Sequence, residues 1–136
     1  MRSRHHFPIS AVVGVVLALT VETPLPAPVL VLGAALLGTF VDLDHFLIAR
    51  VRTGTWEPLV RCLRDPRMAL LDQDAIFEVG DVGVWTRLAS HAVITVALVA
   101  ALSAASPPLA LAAGIVLAVH VGCDVAWDAW RGTLTG

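Results

Sequence analysis

Four long apolar runs alternate with polar links along this chain. The runs cover about residues 7–21, 28–51, 84–105 and 108–130. A helix needs about 20 residues to cross the hydrocarbon core of a bilayer, and the last three runs reach that length. The first run is shorter, so its helix tilts little or ends near the headgroups. We therefore predict one all-α domain over residues 1–136, a membrane-embedded antiparallel four-helix bundle.

Prolines separate two pairs of these runs. Pro24, Pro26 and Pro28 lie between the first and second runs, and Pro107 and Pro108 lie between the third and fourth. Proline cannot continue a helix but fits its first turn, so each link ends one helix and begins the next. Because short links make neighbouring helices antiparallel, both pairs are predicted to form helical hairpins.

The one long link, residues 52–83, mixes arginines with acidic residues and a few apolar ones. An acidic residue precedes proline at Glu57-Pro58 and at Asp65-Pro66, a pattern typical of helix starts. We predict one or two short helices that lie on the membrane surface, with the tryptophan and the leucines facing the bilayer.

Composition and charge favour a membrane protein and exclude some partners. Apolar residues make up 57 % of the 136 residues, more than a soluble domain of this size can cover with polar faces. The net charge of −2 argues against a nucleic-acid-binding surface. Membrane lipid is therefore the expected partner, with a small molecule or a lipid as substrate, and the oligomeric state is left open.

Positive charge is confined to one end of the predicted bundle. All nine cations are arginines: Arg2, Arg4, Arg50, Arg52, Arg61, Arg64, Arg67, Arg87 and Arg131. Cytoplasmic loops of membrane proteins carry an excess of positive charge. We predict a multi-pass protein of the inner (cytoplasmic) cell membrane, with this end and both termini in the cytoplasm.

Ionisable side chains inside the apolar helices are the strongest functional signal. A charge at the bilayer centre costs a few kcal/mol, so each one needs a partner. The antiparallel arrangement brings the starts of helices one and three to the level of the late parts of helices two and four. The residues that converge there are His5, His6, Asp42, Asp44, His45, Arg87, His91, His120, Asp124 and Asp128.

Local spacing agrees with this convergence. His120 and Asp124 are four residues apart and share a helix face, and Asp42 and His45, three apart, also share one. Asp44 points elsewhere unless the helix twists locally. Imidazole and carboxylate ligands without thiolate favour a divalent metal, zinc first, with manganese, iron or nickel as alternatives.

A metal site is the preferred interpretation of these groups. The candidate ligands are Asp44, His45, His91, His120 and Asp124, with His6 as a sixth. They are enough for one metal with an open position or for two metals. The alternative is that buried Asp–His and Asp–Arg pairs only hold helices together. Cys123 is assigned to packing, and Asp128 to a water-facing helix end.

The order of these short motifs resembles a known family. The chain contains His6-x-x-x-Ser10, Asp42-Leu-Asp44-His45, Arg87-Leu-Ala-Ser90-His91 and His120-x-x-x-Asp124. Over nearly the whole chain it is similar in order and spacing to the membrane-bound metal-dependent hydrolases, the inner-membrane LexA-binding hydrolase-like family. The resemblance implies a hydrolytic reaction and metal ligands at Asp42, Asp44, His45, His91, His120 and Asp124.

The chain departs from the pattern of that family at three places. Val41 stands where the family has the proline of Pro-Asp-Ile-Asp-His. Thr86 replaces the first histidine of His-Arg-Gly-x-Thr-His, and Trp127-Asp128 replace a Thr-Pro. The change at Thr86 removes one potential ligand, so a weakened or altered site is one expectation.

The predicted function is that of a metal-dependent hydrolase acting on a phosphoester or lipid headgroup at the cytoplasmic membrane face. The metal would lower the pKa of a water molecule toward about 7. Asp44 or Asp124 would act as base if not a ligand, and Arg87 would stabilise developing negative charge. The alternative is a non-catalytic membrane module that binds a protein partner through residues 52–83. An ion path is disfavoured, since polar groups lie at only one end of the span.

The predicted orientation can be tested by cysteine labelling from outside intact cells. In a background with Cys62 and Cys123 replaced by serine, a membrane-impermeant maleimide should label a cysteine placed at Ala105. It should not label one placed within residues 52–83, because the arginine-rich end is predicted to be cytoplasmic. Labelling within 52–83 with none at Ala105 would overturn the orientation.

Overall fold

The chain folds into helices joined by short turns. The computed structural model describes residues 3–70, 73–78 and 80–134 and has no β-strand among them. The helices are α1 (Ser3–Thr20), α2 (Ala27–Phe40), α3 (Asp44–Thr53), α4 (Glu57–Arg64), α5 (Arg67–Leu70), α6 (Val84–Ala105) and α7 (Pro107–Arg131), with 3-10 turns at Val41–Leu43 and Gln73–Ala75. The prediction of an all-α fold is confirmed. Arg2, which contributed to the predicted orientation, lies outside the described residues.

Three helical segments of the described chain are long and apolar enough to cross a membrane. They are Ala27–Thr53, Val84–Ala105 and Pro107–Arg131, and each matches one of the predicted long runs. The apolar helix α1 is shorter, as the sequence pattern predicted. The lengths and compositions of these helices are compatible with a membrane protein.

The turn of the hairpin between α6 and α7 consists of one residue with an extended backbone, followed by two prolines. Ser106 has an extended backbone (φ −159°, ψ 101°) and is at once the residue after α6 and the residue before α7. Pro107 and Pro108 then occupy the first turn of α7, where their missing N–H groups cost nothing. The two helices therefore run antiparallel and pack against each other.

The apolar core lies between α1, α2 and α7. Its buried members are Leu17, Leu30, Ala34, Ala112 and Val116. No described residue of α6 belongs to this core, and His91 is the only described residue of α6 that is buried. Helix α6 packs mainly on α7 and meets α3. It therefore lies beside the core and contributes to the interior chiefly through His91.

Helices α1 and α2 pack closely against each other at Gly14. A Cβ atom at this position would lie 2.9 Å from the Cα of Val31 and 2.9 Å from the Cβ of Ala34. Small residues at such crossings let backbones approach in lipid, where packing replaces the hydrophobic effect between helices. Gly122 of α7 makes no such contact, since a Cβ atom added there would meet nothing within 4 Å.

The second predicted helix is interrupted in its middle. The pattern predicted one helix over residues 28–51, whereas the structure has α2, the 3-10 turn Val41–Leu43 and α3. A 3-10 turn advances about 120° per residue against about 100° in an α-helix. The turn therefore changes the direction of the side chains that follow, and it supplies the local twist that Asp44 needs to face the interior.

The link after α3 contains the two short helices that the acidic-proline pairs predicted. Helix α4 begins at Glu57, and α5 follows Asp65-Pro66. The carboxylate Oδ1 of Asp65 accepts a hydrogen bond from the backbone N–H of Arg67 at 3.1 Å, which satisfies a donor of the first turn. The Arg61 guanidinium donates to the carbonyl of Ile76 at 3.0 Å and ties the link together.

Substitution of Gly14 by alanine tests the contact between α1 and α2. The new methyl group would lie too close to the α2 backbone, so the helices must separate at a cost of about 1–3 kcal/mol. We expect a lower Tm for the detergent-solubilised Gly14→Ala protein. Gly33→Ala is the matched control, because its Cβ would meet nothing within 4 Å. Equal Tm values for the two variants would contradict the packing described here.

Candidate metal centre

Four parts of the chain bring histidine and aspartate side chains into one cluster. The cluster consists of His6 from α1; Asp42, Asp44 and His45 from the 3-10 turn and the start of α3; His91 from α6; and His120 and Asp124 from α7. The structure thus brings together every residue that the sequence predicted as a metal ligand. The helix ends that supply them also carry Arg4, Arg50, Arg52, Arg87 and Arg131.

Burial differs across the cluster. His6 and His91 are 0 % exposed, and His120 and Asp124 are 1 % exposed. The side chain of His45 is 13 % exposed, which makes it the most open of the imidazoles in the cluster. Access to the cluster therefore lies on the side of α3, and the side formed by α1 and α7 is sealed.

The sealed side contains a group of four possible ligands: His6, Asp42, His120 and Asp124. The Nε2 atom of His6 lies 3.2 Å from Oδ1 of Asp124. The Nε2 atom of His120 lies 3.3 Å from Oδ1 of Asp42 and 3.6 Å from Oδ2 of Asp124. One atom from each of the four residues thus falls within 4.8 Å of every other.

The open side contains a second group, formed by Asp42, His45 and His91. Oδ1 of Asp42 lies 3.6 Å from Nε2 of His45 and 3.6 Å from Nε2 of His91. Asp44 is adjacent, with its Oδ1 3.2 Å from Nε2 of His91. Asp42 is therefore common to both groups.

The backbone of α2 sets the tautomer of His120. The Nδ1 atom of His120 lies 2.8 Å from the carbonyl oxygen of Gly38. Because a carbonyl only accepts, Nδ1 carries the hydrogen and donates it, and the lone pair of the neutral ring is on Nε2. Metal-binding histidines are commonly held by such a bond from the second ring nitrogen. The ring is therefore oriented with Nε2 toward Asp42 and Asp124.

Gly38 and Ser10 are site residues that the spacing of charged groups did not reveal. A Cβ atom on Gly38 would lie 1.9 Å from Oγ of Ser10, which is itself buried. Only glycine therefore allows α1 to pack over α2 at the level of His120. Both positions follow a pattern in the sequence: Gly38 lies four residues after the small residue Ala34, and Ser10 lies four residues after His6.

The distances within the cluster fit ligands around an ion. Charge-assisted N–H···O bonds measure about 2.7–2.9 Å, whereas the imidazole–carboxylate distances here run from 3.2 to 3.7 Å. Metal–ligand bonds of about 2.0–2.1 Å in a tetrahedral arrangement place neighbouring ligand atoms about 3.3 Å apart. The nitrogen and oxygen donors without thiolate suit zinc, manganese or iron. The residues present therefore fit a divalent metal.

Unpaired polar atoms agree with that fit. Nε2 of His45 and Nε2 of His120 are buried without a hydrogen bond of normal geometry in the described part of the chain. A buried polar atom left without a partner costs about 1–3 kcal/mol. A bound cation would relieve this cost by accepting the lone pairs.

Arg87 borders the cluster at the start of α6. Its guanidinium donates a hydrogen bond to Oδ2 of Asp128, and its Nε lies 3.5 Å from Oδ2 of Asp124. The prediction that Asp128 is a water-facing helix end is wrong, because this residue is only 5 % exposed. Asp128 follows Asp124 by one helical turn, so both carboxylates face α6 and hold the arginine between them.

Several other candidates lie outside the cluster. Thr86, one of the positions where the chain departs from the family pattern, is exposed and lies outside both ligand groups. The ring of His5 packs near Trp127, with 6.3 Å between the ring centres. Cys62 and Cys123 belong to neither ligand group, and burial raises the pKa of the Cys62 thiol. The assignment of the cysteines to packing agrees with these positions.

Comparisons of this chain with models of known protein families, with curated proteins and with solved structures find no significant match. The resemblance that the motifs carry therefore stays a prediction. The hydrolytic reaction that it implies also stays a prediction. The chemical interpretation of the cluster rests on its own geometry.

His120→Ala tests whether the cluster holds a metal. The substitution removes an Nε2 that both carboxylates of the sealed group approach. We expect Zn²⁺ affinity to fall by more than about 10–100-fold, the loss typical when a group that hydrogen-bonds to a metal-binding histidine is removed. Metal analysis after equilibration with Zn²⁺ and desalting measures this loss.

His5→Ala is the control for that experiment, because His5 lies beside His6 in sequence but outside the cluster. It should retain as much zinc as the unaltered protein. If the unaltered protein binds no zinc and His120→Ala merely lowers Tm, the cluster only holds helices together.

Proposed function

We propose that this chain is a membrane-bound, metal-dependent hydrolase whose active site is the cluster of histidines and aspartates. The long helices would form an antiparallel four-helix bundle in the inner (cytoplasmic) membrane, with the cluster and both termini at the cytoplasmic face. The observation that supports this most is the set of buried nitrogen and oxygen donors, 3.2–3.7 Å apart, beside a guanidinium. Buried ionisable groups in apolar helices commonly mark a functional site.

Zinc is the ion we assign to the cluster, with manganese or iron as alternatives, because the donors are imidazoles and carboxylates. A divalent ion bound there would lower the pKa of a water molecule and polarise an oxygen atom of the substrate. The protein residues around it would supply the proton acceptor and the positive charge that hydrolysis also requires.

Asp44 is the proposed general base. Its Oδ1 lies 3.2 Å from Nε2 of His91 and 3.7 Å from Nε2 of His45, so the carboxylate stands beside the imidazoles of the open side. Its Oδ2 is buried and has no hydrogen-bond partner among the described residues. This oxygen would accept a proton from the attacking water. Asp44 also lies on the accessible side of the cluster, where water enters.

Arg87 is the proposed charge-stabilising group. The side chain is 14 % exposed and is held by Asp128 at the rim of the cluster. A guanidinium presents several N–H donors in a planar fork that matches the oxygens of a phosphoryl group. Since negative charge increases on those oxygens during attack, Arg87 would stabilise the transition state more than the ground state. A phosphoester of a small molecule or of a lipid headgroup is therefore the proposed substrate class.

Arg87→Ala tests this assignment. We expect the variant to keep its metal, because no atom of Arg87 is a ligand, and to hydrolyse its substrate about a hundredfold more slowly or worse. The measurement is hydrolysis of a panel of soluble phosphoesters and of phospholipids in mixed micelles, alongside metal content. Arg64→Ala is the control, since Arg64 is an exposed arginine of α4, and it should keep full activity.

The panel also tests the function as a whole. Metal-loaded protein that hydrolyses no phosphoester and no phospholipid would overturn the hydrolase proposal. It would favour a non-catalytic membrane module that binds a protein partner through residues 52–83.

A further inference from the structure

The four imidazoles of the cluster fall into two stacked pairs. The rings of His6 and His120 are 3.8 Å apart with an interplanar angle of 26°, and those of His45 and His91 are 5.4 Å apart at 22°. Between the pairs the geometry changes, because the rings of His91 and His120 meet edge to face at 73°. The first pair belongs to the sealed group of four possible ligands, and the second pair belongs to the group on the open side.

One carboxylate stands between the two pairs. Oδ1 of Asp42 lies 3.3 Å from Nε2 of His120, 3.6 Å from Nε2 of His91 and 3.6 Å from Nε2 of His45. A carboxylate has two oxygens and about four lone-pair directions, so it can serve two ions at once. Asp42 has the position expected of a bridging ligand.

A single ion could not use all of these donors. Zinc takes four ligands in most protein sites, and the group of His6, Asp42, His120 and Asp124 already supplies four. His45 and His91 converge on Asp42 instead, in a group of their own. Pairs of metal ions about 3.5–4 Å apart that share ligands are a common arrangement in hydrolytic enzymes.

The two groups differ in ligand number and in access. The four members of the first group are at most 6 % exposed, and they come from α1, the 3-10 turn and α7. The second group has three members and includes His45, whose side chain is 13 % exposed and lies beside Asp44. Structural zinc sites are closed by four protein ligands, whereas catalytic sites have three and keep one position open.

We infer that the cluster holds two metal ions in unequal sites joined by Asp42. The closed site, with His6, Asp42, His120 and Asp124, holds a structural ion that ties α1 to the 3-10 turn and α7. The open site, with Asp42, His45 and His91, holds an exchangeable ion next to the proposed base. This inference rests on the cluster being the metal site of the proposed function. It assigns a structural role to the closed site and an exchangeable ion to the open site.

Zinc titration of two single variants tests the inference. The unaltered protein should bind two Zn²⁺ per chain, and His6→Ala and His45→Ala should each bind one. His6→Ala should also lower Tm, because it opens the site that joins three elements, whereas His45→Ala should change Tm little. His5→Ala should bind two ions and keep its Tm.

A chelator experiment on the unaltered protein keeps the test independent of whether His6→Ala folds. Dipicolinate should remove one Zn²⁺ rapidly and the second at least tenfold more slowly, and the slow phase alone should remain in His45→Ala. One ion per chain in the unaltered protein, or one removal phase for both ions, would overturn the unequal two-ion site. Two ions with unequal removal rates and no hydrolysis would support it and overturn only the hydrolase.

Discussion

The burial of imidazole and carboxylate groups among apolar helices is the constraint on which the rest of this structure depends. His6 and His91 are fully buried, and His120 and Asp124 are nearly so. Taking such groups out of water costs several kcal/mol each unless partners replace the lost hydration. No single helix can supply these partners, so α1, the 3-10 turn, α6 and α7 must meet at one level. The packing of the helices therefore follows from the chemistry of a few polar side chains.

Two backbone features make that meeting possible. The 3-10 turn Val41–Leu43 brings Asp42 and Asp44 to the same interior, which a regular helix would not do. At Gly38 the absence of a side chain lets Ser10 approach, and the carbonyl of the same residue accepts the Nδ1–H of His120 at 2.8 Å. In both places the local conformation orients the side chain of a candidate metal ligand. The neighbouring apolar core only has to hold the helices together.

The packing of the helices around the cluster also explains its division into a sealed and an open side. The sealed side is covered where α1 packs on α2 and α7, and the open side lies where α6 packs mainly on α7 and meets α3. Arg87 stands at the start of α6, and Asp128 holds its guanidinium at the rim. The position of α6 beside the core, rather than within it, thus leaves the cluster accessible on this side.

The sequence alone determined the helices, their proline-marked starts and the identity of the candidate ligands. Apolar length, proline chemistry and the cost of buried charge are local properties, so His91 and His120 could be named as candidate ligands without coordinates. Only the tertiary structure decided that Asp44 turns inward, that Asp128 is buried against Arg87, and that His120 donates to a carbonyl 82 residues away. These features depend on which helices touch and at what angle. Such contacts arise between residues far apart in the chain, where neither periodicity nor composition carries information.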